Sequence, residues 1–239
     1  MISEKILYKI CDETNDMEFC HGINYFKKYV YGTNCSVFAK VKYDFQKEYN
    51  GKMILQNGEL FDINKHEFAK INSRIDEYLK NKERDTIDIC QVISRISLIS
   101  IIKKYVDINI DHIYIGGYLF SVYSLKRFCN ICDELFIFHS GISYVNNVHA
   151  LIAKDIDNVV IIACCYDNGH RNYIDYKTGI LENAQISLSD VLKKMDGKLK
   201  KTDKAISKAD TEKEKKELGK EKIEITKDIE IISKIIEDK

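Results

Sequence analysis

Proline and tryptophan are absent from this chain. Lysine, isoleucine, asparagine and tyrosine are heavily used instead, a bias of the kind an AT-rich genome imposes, so a single Ile or Lys carries little propensity information. Net charge is missing too, since 37 Lys plus Arg balance 37 Asp plus Glu. Phosphate binding draws on net or clustered positive charge, so the balance points away from nucleic acid. Lysines do cluster at Lys200-Lys201 and from Lys213 to Lys216, but acids interleave around them, as on a solvated face. No alternation of aromatic and basic residues marks a base-stacking surface. No apolar run is long enough to span a bilayer, and Met1-Ile2-Ser3-Glu4-Lys5 lacks the apolar stretch of a signal peptide. Gly116-Gly117 has neither the Rossmann glycine spacing nor a Walker lysine, which removes the phosphate-loop reading. The eight cysteines are therefore expected to be reduced thiols of a cytoplasmic protein with no membrane segment.

What is present suffices for a globular protein. The 239 residues are 45% hydrophobic and 31% charged, enough for one substantial domain with its own core and an appendage. Residues 1–50 are the least patterned. Ile6-Leu7-Tyr8-Lys9-Ile10 reads as a first strand, Ser36 to Val41 as another, and His21-Gly22 as a turn between them. From Lys52 the pattern sharpens. Met53-Ile54-Leu55 makes a short strand and Asn57-Gly58 a turn. Asn64 with Glu67 three residues on forms a capping box, and Phe68, Ile71, Ile75 and Leu79 recur at helical spacing, which predicts a helix over 65–79. Strands are expected at 85–91, 112–115 and 134–138, and helices at 98–106 and 121–130. Asn158 to Tyr166 fits a buried strand or a buried helix. Beyond Ser187, Lys, Glu and Asp dominate. Ile225, Ile229, Ile232 and Ile236 form a narrow seam of coiled-coil type, with Gly197 or Gly219 as break points between two helices. The expected layout is N-terminal strands of open affiliation (1–50), a layered α/β domain (51–186) and a charged helical tail (187–239).

The order and spacing of segments between Gly51 and Gly179 resemble the ClpP-like serine peptidases of the ClpP/crotonase superfamily. Lys52 to Asp62 looks like that family's first strand and turn, residues 65–79 like its first helix, and Thr86 to Gln91 like the next strand. The family then has a strand, a glycine, three small residues and the nucleophilic serine at a helix start. Here stands Gly117-Tyr118-Leu119-Phe120-Ser121, at the family's spacing but with bulky residues between. The family's histidine base ends the strand after that helix, and here Asp133 to Phe138 leads to His139. Cys132-Asp133 also resembles the crotonase branch, whose helix after a Gly-Tyr pair often ends in Cys-Asp. The resemblance implies an α/β spiral of β-β-α units and a serine peptidase or related hydrolase. Ser121 would be the nucleophile, His139 the base that activates it, and the Val122 N–H a donor to the oxyanion. It also implies a homo-oligomer built of rings and a peptide or protein substrate. Two departures stand out. Ser94-Arg95-Ile96-Ser97 holds the place of the family's oxyanion-loop glycine pair, and the link from Ser121 to His139 is shortened as if a hairpin were lost. For the third triad member, Asp175 and Asp190 are candidates as downstream acids.

These departures motivate a second expectation, a non-catalytic descendant that binds a protein partner or assembles through residues 190–239. A third is a thiol hydrolase, since His139 followed by Cys164 after Ile161-Ile162-Ala163 is similar to a caspase-like dyad; the plainer reading of Cys164-Cys165 is a core pair. Cys129-Asn130-Ile131-Cys132 is a lone C-x-x-C that ends a helix. It reads as buried thiols rather than a zinc site or a redox centre. No metal or cofactor is expected. His21, His66, His112, His149 and His170 have no partner readable from the sequence and are expected on the surface or satisfied in the core.

Overall fold

A computed structural model describes residues 7–14, 16, 18–34, 36–80, 84–129, 132–138, 150–154, 157–165 and 171–237. In chain order the elements are β1 (Ile23–Phe26), β2 (Tyr29–Thr33), β3 (Val37–Lys42), β4 (Lys52–Ile54), β5 (Leu60–Asp62), α1 (Lys65–Lys80), β6 (Arg84–Thr86), α2 (Ile89–Tyr105), β7 (His112–Ile115), β8 (Tyr118–Ser121), α3 (Val122–Phe128), β9 (Glu134–Phe138), β10 (Ala150–Lys154), β11 (Val159–Ala163), β12 (Tyr173–Asp175), β13 (Leu181–Glu182), α4 (Leu188–Lys208) and α5 (Glu212–Glu237). The chain divides into two compact units. The first comprises Met1–Val92 with Tyr123–Tyr166, the second Ile93–Val122 with Asp167–Lys239. The strands of residues 1–50 are thus part of the first unit, and the helical tail shares the second with residues from the middle of the chain.

The first unit is built on a nine-stranded sheet in the order β5-β4-β1-β2-β3-β11-β10-β9-β6. Its central strands are rich in Val, Ile, Phe and Tyr, which suit a pleated surface. They are buried on both faces: Ala150 to Ala153 and Val159 to Ile162 are each nearly inaccessible. Helix α1 lies against one face. Phe68 and Ile75 pack there with Phe26, Tyr31, Phe38, Phe136, Ile152 and Ile161. The helical spacing of apolar residues read from the sequence is the cause. Polar groups on this face are matched across the layer. Tyr31 donates its hydroxyl to Asn72 Oδ1 at 3.0 Å. Lys40, 8% exposed, lies 3.7 Å from Asp76 and over the Tyr29 ring. Burial lowers the Lys40 pKa, against the pull of Asp76.

The second unit carries a four-stranded sheet, β13-β12-β7-β8, with most of α2 and the hairpin of α4 and α5. Arg95 on α2 donates to the carbonyls of Tyr176 and Lys177, both at 2.9 Å. Gly179 passes so close to that guanidinium that a Cβ would meet Nη1 at 2.8 Å, and its φ of +70° suits glycine. The α4–α5 hairpin is tied by Lys198–Glu221 at 3.0 Å and Lys222–Asp203 at 2.8 Å. Ile225 and Ile232 are buried, and Asp228 between them accepts from Tyr105 at 2.9 Å and pairs with Lys104 at 3.3 Å. Two of the four seam isoleucines, Ile225 and Ile232, therefore face away from solvent, and Ile229 and Ile236 are half-buried.

The mixed α/β class and the C-terminal helices agree with the sequence reading. Several finer expectations do not. All pairings in the nine-stranded sheet are antiparallel. Among the described residues the parallel pair is β7 with β12. Leu7 and Tyr8 are helical rather than extended. The strand expected over 85–91 ends at Thr86, and Ile89 to Gln91 already belong to α2. The tail bends at residues 209–211, not at Gly197 or Gly219, both of which lie inside helices. Thr211 causes this break: its Oγ1 accepts from the Glu214 N–H and so caps α5. A lone glycine inside a long helix costs only about 1 kcal/mol and does not end it. The side chain of Glu67, the second half of the expected capping box, lies outside the described residues.

Candidate functional site

Ser121 is the last residue of β8, directly before α3, and pairs in register with His112 of β7. The Val122 N–H donates to the Asp111 carbonyl at 2.8 Å, so the expected oxyanion donor is engaged with the backbone. Gly116 and Gly117 both have positive φ and close the β7–β8 hairpin, as primed turns require. The bulky Tyr118-Leu119-Phe120 that departs from the family pattern is strand, with Leu119 and Phe120 buried. Ser94 to Ser97, aligned with the oxyanion loop, lie within the seventeen-residue helix α2, whose interior N–H groups are held by the helix itself. His139 lies outside the described residues, as do Ser140, Gly141, His149 and His170.

The two downstream acids have local roles. Asp175 Oδ1 accepts from the N–H and hydroxyl of Thr178 at 2.7 and 2.8 Å, closing a turn. Asp190 completes a capping box with Ser187 at the start of α4. The Ser187 side chain and backbone hold its carboxyl down at about 2. Cys129 and Cys132 are buried and in no disulfide, and burial pushes the Cys129 thiol up to about 12, as for an inert structural thiol. Cys164 is half-buried at the end of β11. Among the described residues no group of three or more His, Cys, Asp or Glu could hold a metal ion, and no helix is long and apolar enough to cross a membrane.

A cavity of about 480 Å³ opens in the first unit, at the β5–β4–β1 end of the sheet. It falls in the size range of small-molecule sites. Its floor is Asn24 on β1, Met53 on β4 and Phe68 on α1, all buried. Its rim carries Glu18, Phe61, Asp62 and Asn64, all exposed, and Phe19, His21, Leu55 and Ile63 complete the wall. The local folding follows from the sequence. Gly22 lets the chain enter β1 against the Ile54 carbonyl, where any Cβ would collide. Gly58, with φ +91°, and Asn57, whose Oδ1 accepts from the Glu59 N–H at 2.9 Å, turn β4 back into β5. The chain then runs through Ile63 and Asn64 into α1.

Asn24 decides what this cavity can do. It is 0% exposed. Its Nδ2 donates to the carbonyls of Phe19 at 2.8 Å and Gly22 at 3.0 Å. Both neighbours are acceptors, so the amide orientation is fixed. That leaves Oδ1 on the other side with no hydrogen-bond partner among the described residues. A buried acceptor left in this state costs about 1–3 kcal/mol, so such groups ask for an explanation. On the rim, Asp62 is paired with Lys52 at 2.8 Å, and this bond lowers its pKa, keeping it a carboxylate. Glu18 adds a second acid, and no Lys or Arg stands among the described lining residues.

The sequence pointed elsewhere. Nothing around Ile23-Asn24-Tyr25-Phe26 announces a strand, and without the strand a lone Asn carries no information. The available signal was a polar residue between Ile23 and Tyr25 in a run of residues suited to strands. No family model matches the chain, and no curated protein or solved structure matches it.

Proposed function

We propose that this protein is a non-catalytic binding protein whose ligand enters the cavity of the first unit. The observation that carries the reading is the Asn24 amide, fixed by two carbonyls and left with an unmatched, buried Oδ1, on a residue that lines the cavity. A small molecule that brings an N–H or O–H to that oxygen removes the penalty of the bare acceptor and gains the burial of its own apolar body. The absence of catalysis is supported at Ser121 by the engaged Val122 N–H and the helical backbone at 94–97. Ligand-observed NMR of the full chain against a fragment library tests the proposal. Apolar fragments with one donor are expected to bind, and to weaken about tenfold in Asn24→Leu. A folded chain that binds none of them contradicts it.

The hydrolase reading rests on the sequence resemblance, with one observation in its favour: Ser121 stands immediately before a helix. Its test is labelling by a fluorophosphonate, lost in Ser121→Ala. Partner binding or self-association through residues 190–239 would have to use the outer face of α5, where Ile223 and Ile231 are exposed at 58% and 43%, since Ile225 and Ile232 are covered. Removal of residues 190–239 followed by mass measurement in solution tests that role.

A further inference from the structure

The cavity is polar at two depths, and the two differ in kind. Deep inside, the unmatched group is a neutral acceptor, Asn24 Oδ1. At the mouth the acids are Glu18 and Asp62; Asp62 is matched by Lys52 at 2.8 Å, which leaves Glu18 as the acid that sets the sign of the rim. Between them lie Phe19, Met53, Leu55, Phe61, Ile63 and Phe68. From this order we infer that the ligand is a small aromatic amine with two ends: a neutral N–H or O–H donor that reaches Asn24, and an ammonium that stays at the rim. The inference rests on the reading of the cavity as a ligand site.

Each part of the ligand follows from a cost. An ammonium at the floor would be desolvated beside a single neutral acceptor, which burial of a charge does not tolerate. A neutral donor there meets an acceptor that is already desolvated and already oriented. At the mouth, water still reaches Glu18 and Asp62, and Asp62 is already paired with Lys52, so an ammonium keeps part of its hydration while gaining the attractive field of the Glu18 carboxylate. A carboxylate or phosphate in the same place meets that field with the wrong sign. The flat body is suited to the phenylalanine walls, and Phe61, 46% exposed on β5, puts an aromatic ring among the lining residues, a group that attracts cations. The Met53 side chain, flexible and polarisable, adapts to the outline of an aromatic body.

Four probes of one shape separate these contributions: tryptamine, 1-methyltryptamine, indole-3-propionate and indole. Isothermal titration of each into the full chain is expected to rank tryptamine tightest. Loss of the indole N–H in 1-methyltryptamine should weaken binding about tenfold, because the Asn24 acceptor is again left bare. Indole-3-propionate should bind at least about tenfold more weakly than tryptamine, and Glu18→Lys should narrow or invert that ratio with the fold intact by circular dichroism. Equal binding of tryptamine and indole-3-propionate, unchanged by Glu18→Lys, overturns the amine inference while leaving the cavity as a ligand site. Equal binding of tryptamine and 1-methyltryptamine overturns the role of the deep donor. If none of the four binds, indole included, the ligand-site reading falls with it.

Discussion

In the second unit, Arg95, His112 and Asp228 are buried, and each meets a partner in its own unit: the carbonyls of Tyr176 and Lys177, Arg171 at 3.1 Å, and Lys104 with Tyr105. The first unit treats Lys40 and Tyr31 the same way, through Asp76 and Asn72. Asn24 differs. Its donor side is matched and its acceptor side is not. A buried polar side chain is therefore no sign of a site in itself. Matched groups tie layers together, and the half-matched one, beside a cavity, is where an outside group fits.

This contrast can be broken by substitution. The largest effect is expected from Asn24→Asp, which turns a donor facing two carbonyls into a buried carboxylate facing them. Urea denaturation at neutral pH should show a loss of about 3 kcal/mol. The loss should shrink as pH falls, because protonation removes the buried charge and restores one donor. Wild-type stability in this variant would mean that Asn24 is not held as described. Asp228→Ala should cost about 2 kcal/mol by leaving the Tyr105 hydroxyl without its acceptor. It should leave ligand binding in the first unit unchanged, and a change in affinity there would erase the distinction between the two kinds of buried group.

Smaller effects sharpen the picture of the second unit. Ser187→Ala removes the N-cap of α4 and should cost about 1 kcal/mol, read by thermal melting. Acid titration tests the same cap from its other half. The carboxyl of Asp190 is depressed to about 2, so its contribution is complete above the ordinary carboxylate range and is lost as pH falls through about 2. Helicity by circular dichroism should drop in that window, and Asp190→Asn should flatten this part of the titration. An identical acid profile in the variant would remove Asp190 from the capping role.

The sequence made the long periodic elements readable and hid the short ones. Helix α1 is visible because Phe68, Ile75 and Leu79 mark one face over about three turns. Strand β9 was visible as an unbroken apolar run. The β1–β2 hairpin was not, because its turn is Lys27-Lys28 with Lys27 at φ +58°, and no glycine or asparagine announces the left-handed residue. Missing that hairpin also hid Asn24. The Gly116-Gly117 pair is ambiguous in the sequence. A glycine that closes a hairpin carries the same letter as the glycine that stands before the nucleophilic serine in the ClpP-like pattern, and the pairing of His112 with Ser121 across the turn shows that here the pair closes a hairpin. Leu7 and Tyr8 illustrate the general ambiguity of short apolar runs, which periodicity alone cannot assign.

The central claim is that Asn24 Oδ1 receives a donor from a bound molecule. The most direct measurement is a crystal structure of the full chain soaked with tryptamine. The account predicts the indole N–H within about 3 Å of Asn24 Oδ1, with the ammonium toward Glu18 and Asp62. A tryptamine ordered in the cavity with its indole N–H turned away from Asn24, or a chain that takes up none, would contradict it.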